Sequence, residues 1–77
     1  MDKKNIYNEI ADYFNVSNSC IFDATVASDV NGWDSLTHVM LILHIEEIYN
    51  VEFTPVELSK LENVYSFYVL LNEKLTE

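Results

Sequence analysis

Hydrophobic and polar positions repeat with a helical period over most of this chain, with one long interruption. At about 100° per residue, Ile6, Tyr7, Ile10, Tyr13 and Phe14 gather on one side, and Lys4, Asn5, Asn8, Glu9 and Asp12 fall opposite. This predicts a one-sided surface helix of about 12 residues, with Asp2 placed to cap it. From Val16 to Gly32 the periodicity disappears and Ser, Asn, Asp and Thr dominate. The segment reads as a long loop with Ile21, Phe22 and Val26 tucked inward, and a short helical turn after Ser17 or Asp23. Loops of more than about 12–15 residues are unusual in a small domain and are often functional.

Periodicity returns at about Ser35 and runs to Tyr49. Asp34 or Ser35 can supply the N-cap oxygen, and Asn50 suits the left-handed position that closes a helix. Thr54-Pro55 reads as an N-cap followed by an N1 proline, opening a short helix through roughly Ser59. Asn63 can cap a last helix whose stripe is Val64, Phe67, Tyr68, Leu71 and Leu75. The expected architecture is therefore all-α, in a single domain covering residues 1–77. It is a small irregular four-helix bundle with a long loop between helices 1 and 2 and a short third helix.

The second helix is too apolar for an ordinary surface position. Leu41, Ile42, Ile45, Ile48 and Tyr49 gather on one side, and Leu36, Val39, Met40 and Leu43 on the other. Thr37, His38 and His44 fall between the groups, while Glu46 and Glu47 rim the second. Such a helix is either wrapped all round or carries a binding face. A domain this small can hardly bury one helix completely, which favours the binding face.

Composition narrows the ligand. The chain has 13 acidic and 4 basic residues, a net charge of −9, and no Arg. That excludes phosphate-neutralising contacts to nucleic acid and attraction to anionic membranes, and it favours basic protein partners. The hydrophobic fraction of 49% argues against intrinsic disorder. The single glycine counts against an all-β fold built on tight hairpins. The lone Cys20 cannot form an internal disulfide, and no run approaches the ~18 apolar residues of a membrane span. The start, MDKKNIYNEI, lacks the apolar segment of a signal peptide, so a cytoplasmic protein is expected.

Catalytic chemistry is hard to assemble from these residues. Cys20 with a histidine could pair as nucleophile and base, yet so small a bundle has little room for a substrate cleft. His38 and His44 lie six apart, off the i, i+4 spacing of helical metal ligands, and read as solvated or rim residues. The run from Asp29 to Asp34 alternates oxygen ligands, but as a calcium loop it would need Gly and Glu where Asp34 and Met40 stand. No catalytic or metal-ligating residues are expected. What remains is Asp34-Ser35-Leu36, where a long loop meets a helix. Asp34 and Ser35 there are capping residues, or Ser35 is an exposed hydroxyl whose phosphate ester would face the N–H groups and positive end of the helix dipole.

Gly32-Trp33-Asp34-Ser35-Leu36-Thr37-His38 resembles the attachment motif of the acyl carrier proteins and the related peptidyl carriers, a Ser preceded by Asp and followed by Leu. The stretch from Val39 to Phe53 is similar to that family's second helix and exit turn, and the likeness extends over nearly the whole chain. The resemblance implies that Ser35 carries 4′-phosphopantetheine, transferred from coenzyme A by a phosphopantetheinyl transferase, with Asp34 as its motif neighbour. Acyl or aminoacyl groups would ride on the arm as thioesters. The implied partners are that transferase, an acyl- or aminoacyl-loading enzyme, and downstream condensing or acyl-transfer enzymes. They would dock on Leu36, Val39, Met40 and Leu43, rimmed by Glu46 and Glu47, and the carrier would be a monomer.

The pathway implied is polyketide, nonribosomal peptide, fatty acid or polysaccharide-linked biosynthesis. Thr37 and Met40 stand where fatty acid carriers often have acidic residues, and Asn31-Gly32-Trp33 replaces their Leu-Gly pair. The motif thus looks more like stand-alone carriers outside ordinary fatty acid synthesis. Two competing classes are an unmodified acidic helical adaptor for a basic protein and a small thiol enzyme using Cys20.

Overall fold

The computed structural model of the chain describes residues 2–76. Four α-helices follow one another: α1 (Lys3–Tyr13), α2 (Ser35–Tyr49), α3 (Pro55–Leu58) and α4 (Val64–Thr76). Single 3-10 turns at Asn18–Cys20 and Ala27–Asp29 punctuate the loop between α1 and α2. The first begins right after Ser17, whose hydroxyl caps it, as one of the two expected positions requires. The described residues form no strand.

Local chemistry explains the helix ends. The Asp2 carboxylate accepts from the Lys4 N–H and starts α1. Asn50 takes the left-handed conformation, φ 54° and ψ 51°, and closes α2. Thr54 and Glu57 cap α3 reciprocally, each side chain accepting from the other's backbone N–H at 3.2 and 2.8 Å. The Asn63 Oδ1 accepts from the Ser66 N–H at 2.9 Å, and the Ser66 hydroxyl accepts from the N–H of Asn63 in return.

The core is one cluster. Ile6, Ile10 and Ala11 of α1, Leu41, Ile42 and Ile45 of α2, and Val64, Phe67 and Leu71 of α4 are buried together with Ile21, Val30 and Trp33 from the loop. α3 contributes only the half-buried Leu58, and the Glu57–Lys74 ion pair at 2.8 Å ties it to α4.

The long loop is held at its middle. The Val64 N–H donates to the Thr25 carbonyl at 2.8 Å and the Tyr65 N–H to that of Asp23 at 3.1 Å, so the loop satisfies the first amides of α4. Thr25 is buried, its hydroxyl accepting from the Phe22 N–H at 2.9 Å. The same turn sends Phe22 outward. Ile21 and Thr25 take the inner positions, leaving Phe22 60% exposed where an inward side chain is expected, while Val26 is half-buried.

Two other expectations shift. Ile48 shares a face with Leu41, since seven residues turn a helix by only about 20° from two full turns. Leu41 is fully buried, yet Ile48 is 45% exposed, while the adjacent Tyr49 packs against the core. On α4, Leu75 is exposed in the last turn of its stripe, whereas Leu70, outside that stripe, is buried.

Candidate functional site

Ser35 is the first residue of α2 and is exposed. Asp34, not Ser35, supplies the cap: its carboxylate accepts from the Leu36 N–H at 3.0 Å and the Thr37 N–H at 2.9 Å. Those bonds, the Thr37 N–H foremost, hold the Asp34 carboxyl below the usual carboxylate range. The amides expected to meet a phosphate on Ser35 are therefore already taken. The dipole field of α2 remains, set against the repulsion that the neighbouring carboxylate would exert on an anionic substituent.

Thr37 completes the junction. Its hydroxyl donates to the Gly32 carbonyl at 2.7 Å and accepts from the Asp34 N–H at 2.8 Å. Gly32 has φ +90°, a conformation costly for residues with a Cβ, and this bend delivers the chain into the helix. A side chain longer than a hydrogen would be strained there even though the nearest atom, Phe14 Cδ1, is 4.0 Å from where a Cβ would stand.

Trp33 anchors the same bend from the other side. The buried indole stacks on Phe14 at the end of α1, with centroids 4.9 Å apart and planes 18° apart, and leans on Phe67 of α4. Its Nε1–H donates to His38 Nδ1 at 3.1 Å. His38 is half-buried, at the rim as expected, but its inner edge joins an aromatic cluster that its place on the wheel does not reveal. Burial holds it below the ordinary histidine value. The sequence signal for this pair was a lone tryptophan ahead of a helix with a histidine in its first turn, too common a combination to single out.

The second apolar face of α2 is open. Leu36, Val39, Met40 and Leu43 are between 49% and 68% exposed and follow directly from Ser35 along the helix. At the far end Leu43, Glu46, Glu47, Asn50, Val51 and Glu52 line a groove of about 510 Å³ with three carboxylates. Glu46 and Glu47 differ, however. Glu47 is exposed, whereas Glu46 is half-buried and accepts from the Phe53 N–H at 2.8 Å, stitching the exit turn to α2.

The remaining chemistry does not converge. Cys20 is exposed on the first 3-10 turn; His38 is engaged by Trp33, and His44 Nε2 faces Glu9 at 3.7 Å. A separate groove of about 370 Å³ beside the α3–α4 connection holds none of the site residues named above. Among the described residues no cluster of His, Cys, Asp or Glu could hold a metal ion, and no helix is long and apolar enough to cross a membrane.

The fold has a counterpart of known structure. The holo acyl carrier protein from Geobacter metallireducens superposes with a TM-score of 0.86 and 31% sequence identity, over 96% of this chain and 85% of that one. The fold is that of an acyl carrier protein. No protein-family model matches the chain, and no curated sequence does. The likeness to an acyl carrier protein supports a carrier role in general, without choosing a pathway or a partner.

Proposed function

We propose that this chain is a member of the acyl carrier protein family and carries acyl or aminoacyl groups as thioesters on a 4′-phosphopantetheine arm attached to Ser35. One observation carries the reading: an exposed serine opens α2, capped by its own Asp34, in a chain 31% identical to a holo acyl carrier protein. The residues fit the group. Ser35 presents its hydroxyl to solvent, and the cap bonds of Asp34 and Thr37 hold the backbone around it independently of that hydroxyl.

When attached, the arm supplies the thiol that bears the acyl group; the protein supplies position and recognition. A tether of this kind converts each encounter into an effectively intramolecular one, at a local concentration on the order of millimolar. The open face Leu36, Val39, Met40 and Leu43 gains its burial when a partner docks, and the acid rim at Glu46, Glu47 and Glu52 selects basic surfaces. The partners are a phosphopantetheinyl transferase, a loading enzyme and downstream condensing or acyl-transfer enzymes. The carrier acts as a cytoplasmic monomer and catalyses no step itself.

The test is an intact mass after incubation with coenzyme A, Mg²⁺ and a broad-specificity phosphopantetheinyl transferase. The wild type gains one phosphopantetheinyl group. Ser35→Ala gains none and keeps its helical circular dichroism, because Asp34 is the cap. A wild type that gains nothing would make the protein an unmodified adaptor, and a gain that survives in Ser35→Ala would move the attachment elsewhere.

A further inference from the structure

We propose that His38 is a positioning residue for Ser35, and that its hydrogen bond from Trp33 makes the attachment site pH-sensitive. This inference rests on the reading of Ser35 as the modified residue. The chain from Gly32 to Asp34 meets the first turn of α2 at two places. Thr37 holds its backbone, through the Gly32 carbonyl and the Asp34 N–H. His38 holds its side chain, through the indole of Trp33. Trp33 is the only residue of this bend that reaches the core, where it also packs on Phe14 and Phe67. The indole therefore sets where the bend sits, and the bend sets where Ser35 begins.

The bond has a protonation requirement. An indole N–H can only donate, so His38 Nδ1 must be unprotonated to accept it. The two rings lie side by side, with planes 24° apart and centroids 6.1 Å apart, joined edge to edge. In that geometry the indole offers its N–H, not its π face, and an imidazolium would place one donor against another. From α4, Phe67 packs against the imidazole at 5.8 Å and 75°, another uncharged ring. The nearest carboxylate along the helix, Asp34, is committed to the Leu36 and Thr37 amides, and His44 lies further on, against Tyr13 and Glu9. Burial is the cause that lowers His38 below its ordinary value, with no charged neighbour among the described residues adding to it. Acidification breaks the Trp33 bond, loosens the seat of the indole beneath the bend, and degrades the presentation of Ser35 while Thr37 and the caps persist.

Two readouts test this on the full apo protein. The first is the Trp33 indole N–H resonance, followed together with the His38 imidazole resonances against pH. Both should move with one midpoint below 6.5 in the wild type. The second is the transferase-catalysed loading rate of wild type and His38→Asn, each normalised to its own value at about pH 7.5. Asparagine places an uncharged oxygen near the Nδ1 position, so it keeps the acceptor and removes the titration. The ratio of wild type to His38→Asn should fall roughly threefold or more once the pH lies about one unit below the His38 midpoint read from the resonances, a comparison that cancels the transferase's own pH dependence. His38→Phe, which removes the acceptor, should load slowly at both pH values relative to His38→Asn. A flat ratio with normal mass gain would overturn the positioning role and leave the carrier reading intact. An indole resonance indifferent to His38 titration would do the same. Absence of mass gain at every pH would overturn the carrier reading, and this inference with it.

Discussion

The two faces of α2 are made of the same kind of residue and meet opposite fates. Leu41, Ile42 and Ile45 are buried against α1 and α4, while Leu36, Val39, Met40 and Leu43 stand open in solvent. Hydrophobicity alone does not separate them. The difference lies in what the rest of the chain can reach: α1 and α4 pack together over one side of α2, and the short α3 is too small to cover the other. An apolar face left uncovered by a domain with so little material is available for a partner.

Substitutions can break that comparison, and the largest effect belongs to the buried side. Ile45→Ala leaves a cavity in the centre of the core and should cost roughly 2–5 kcal/mol, enough to unfold much of a domain this size. Thermal or denaturant unfolding checks it. Met40→Ala, on the open side, should stay within about 1 kcal/mol of wild type yet slow transferase loading. Equal instability of the two variants would mean that the open face is covered in solution.

A smaller effect sharpens the comparison along the acid rim. Glu46→Lys removes the acceptor of the Phe53 N–H and should cost about 1 kcal/mol, whereas Glu47→Lys should stay within about 0.5 kcal/mol. Both should slow loading by a basic transferase, so unfolding and loading measured together separate the structural duty of Glu46 from the recognition the two share.

Acid should weaken the cap that the open face starts from. The Asp34 carboxyl lies below its unfolded value, held by Thr37 and Leu36, and Glu57 lies below its own through Lys74. Each contributes stability that is present above the ordinary carboxylate range and is lost as pH falls through the lowered folded value. His38 works in the same direction at higher pH: its depressed value means stability declines once pH drops below 6.5, as the unfolded chain takes up a proton first. Circular dichroism melts across pH should show a shallow decline first and a steeper one in the carboxylate range, with His38→Asn losing only the former.

The smallest expected effect is that of salt. Raising ionic strength should lower loading rates by weakening long-range attraction to the −9 chain, with little change in stability. A rate indifferent to salt and to Glu47→Lys would assign recognition wholly to the apolar face.

Much of this protein was legible in residue order because the signals involved act over three or four positions. Asp2, Asp34, Asn50, Thr54-Pro55 and Asn63 each mark a helix end through a local hydrogen bond or a backbone preference, so the four helices and the place of Ser35 at the start of α2 followed from the chain itself. The two-faced character of α2 followed from its period. The tertiary structure decided the rest. Phe22 turned out and Thr25 turned in because the loop had to satisfy the amides of α4, a partner some 40 residues away. Ile48 was left uncovered while Tyr49 beside it packs on the core, a choice that depends on which neighbouring segments reach that side of the helix. Glu46 was drawn to Phe53, and His38 to Trp33, by geometry that exists only once the exit turn and the entry bend have been folded against α2. A short-range preference can be read from neighbours in sequence; a bond between segments depends on where every intervening residue has been packed.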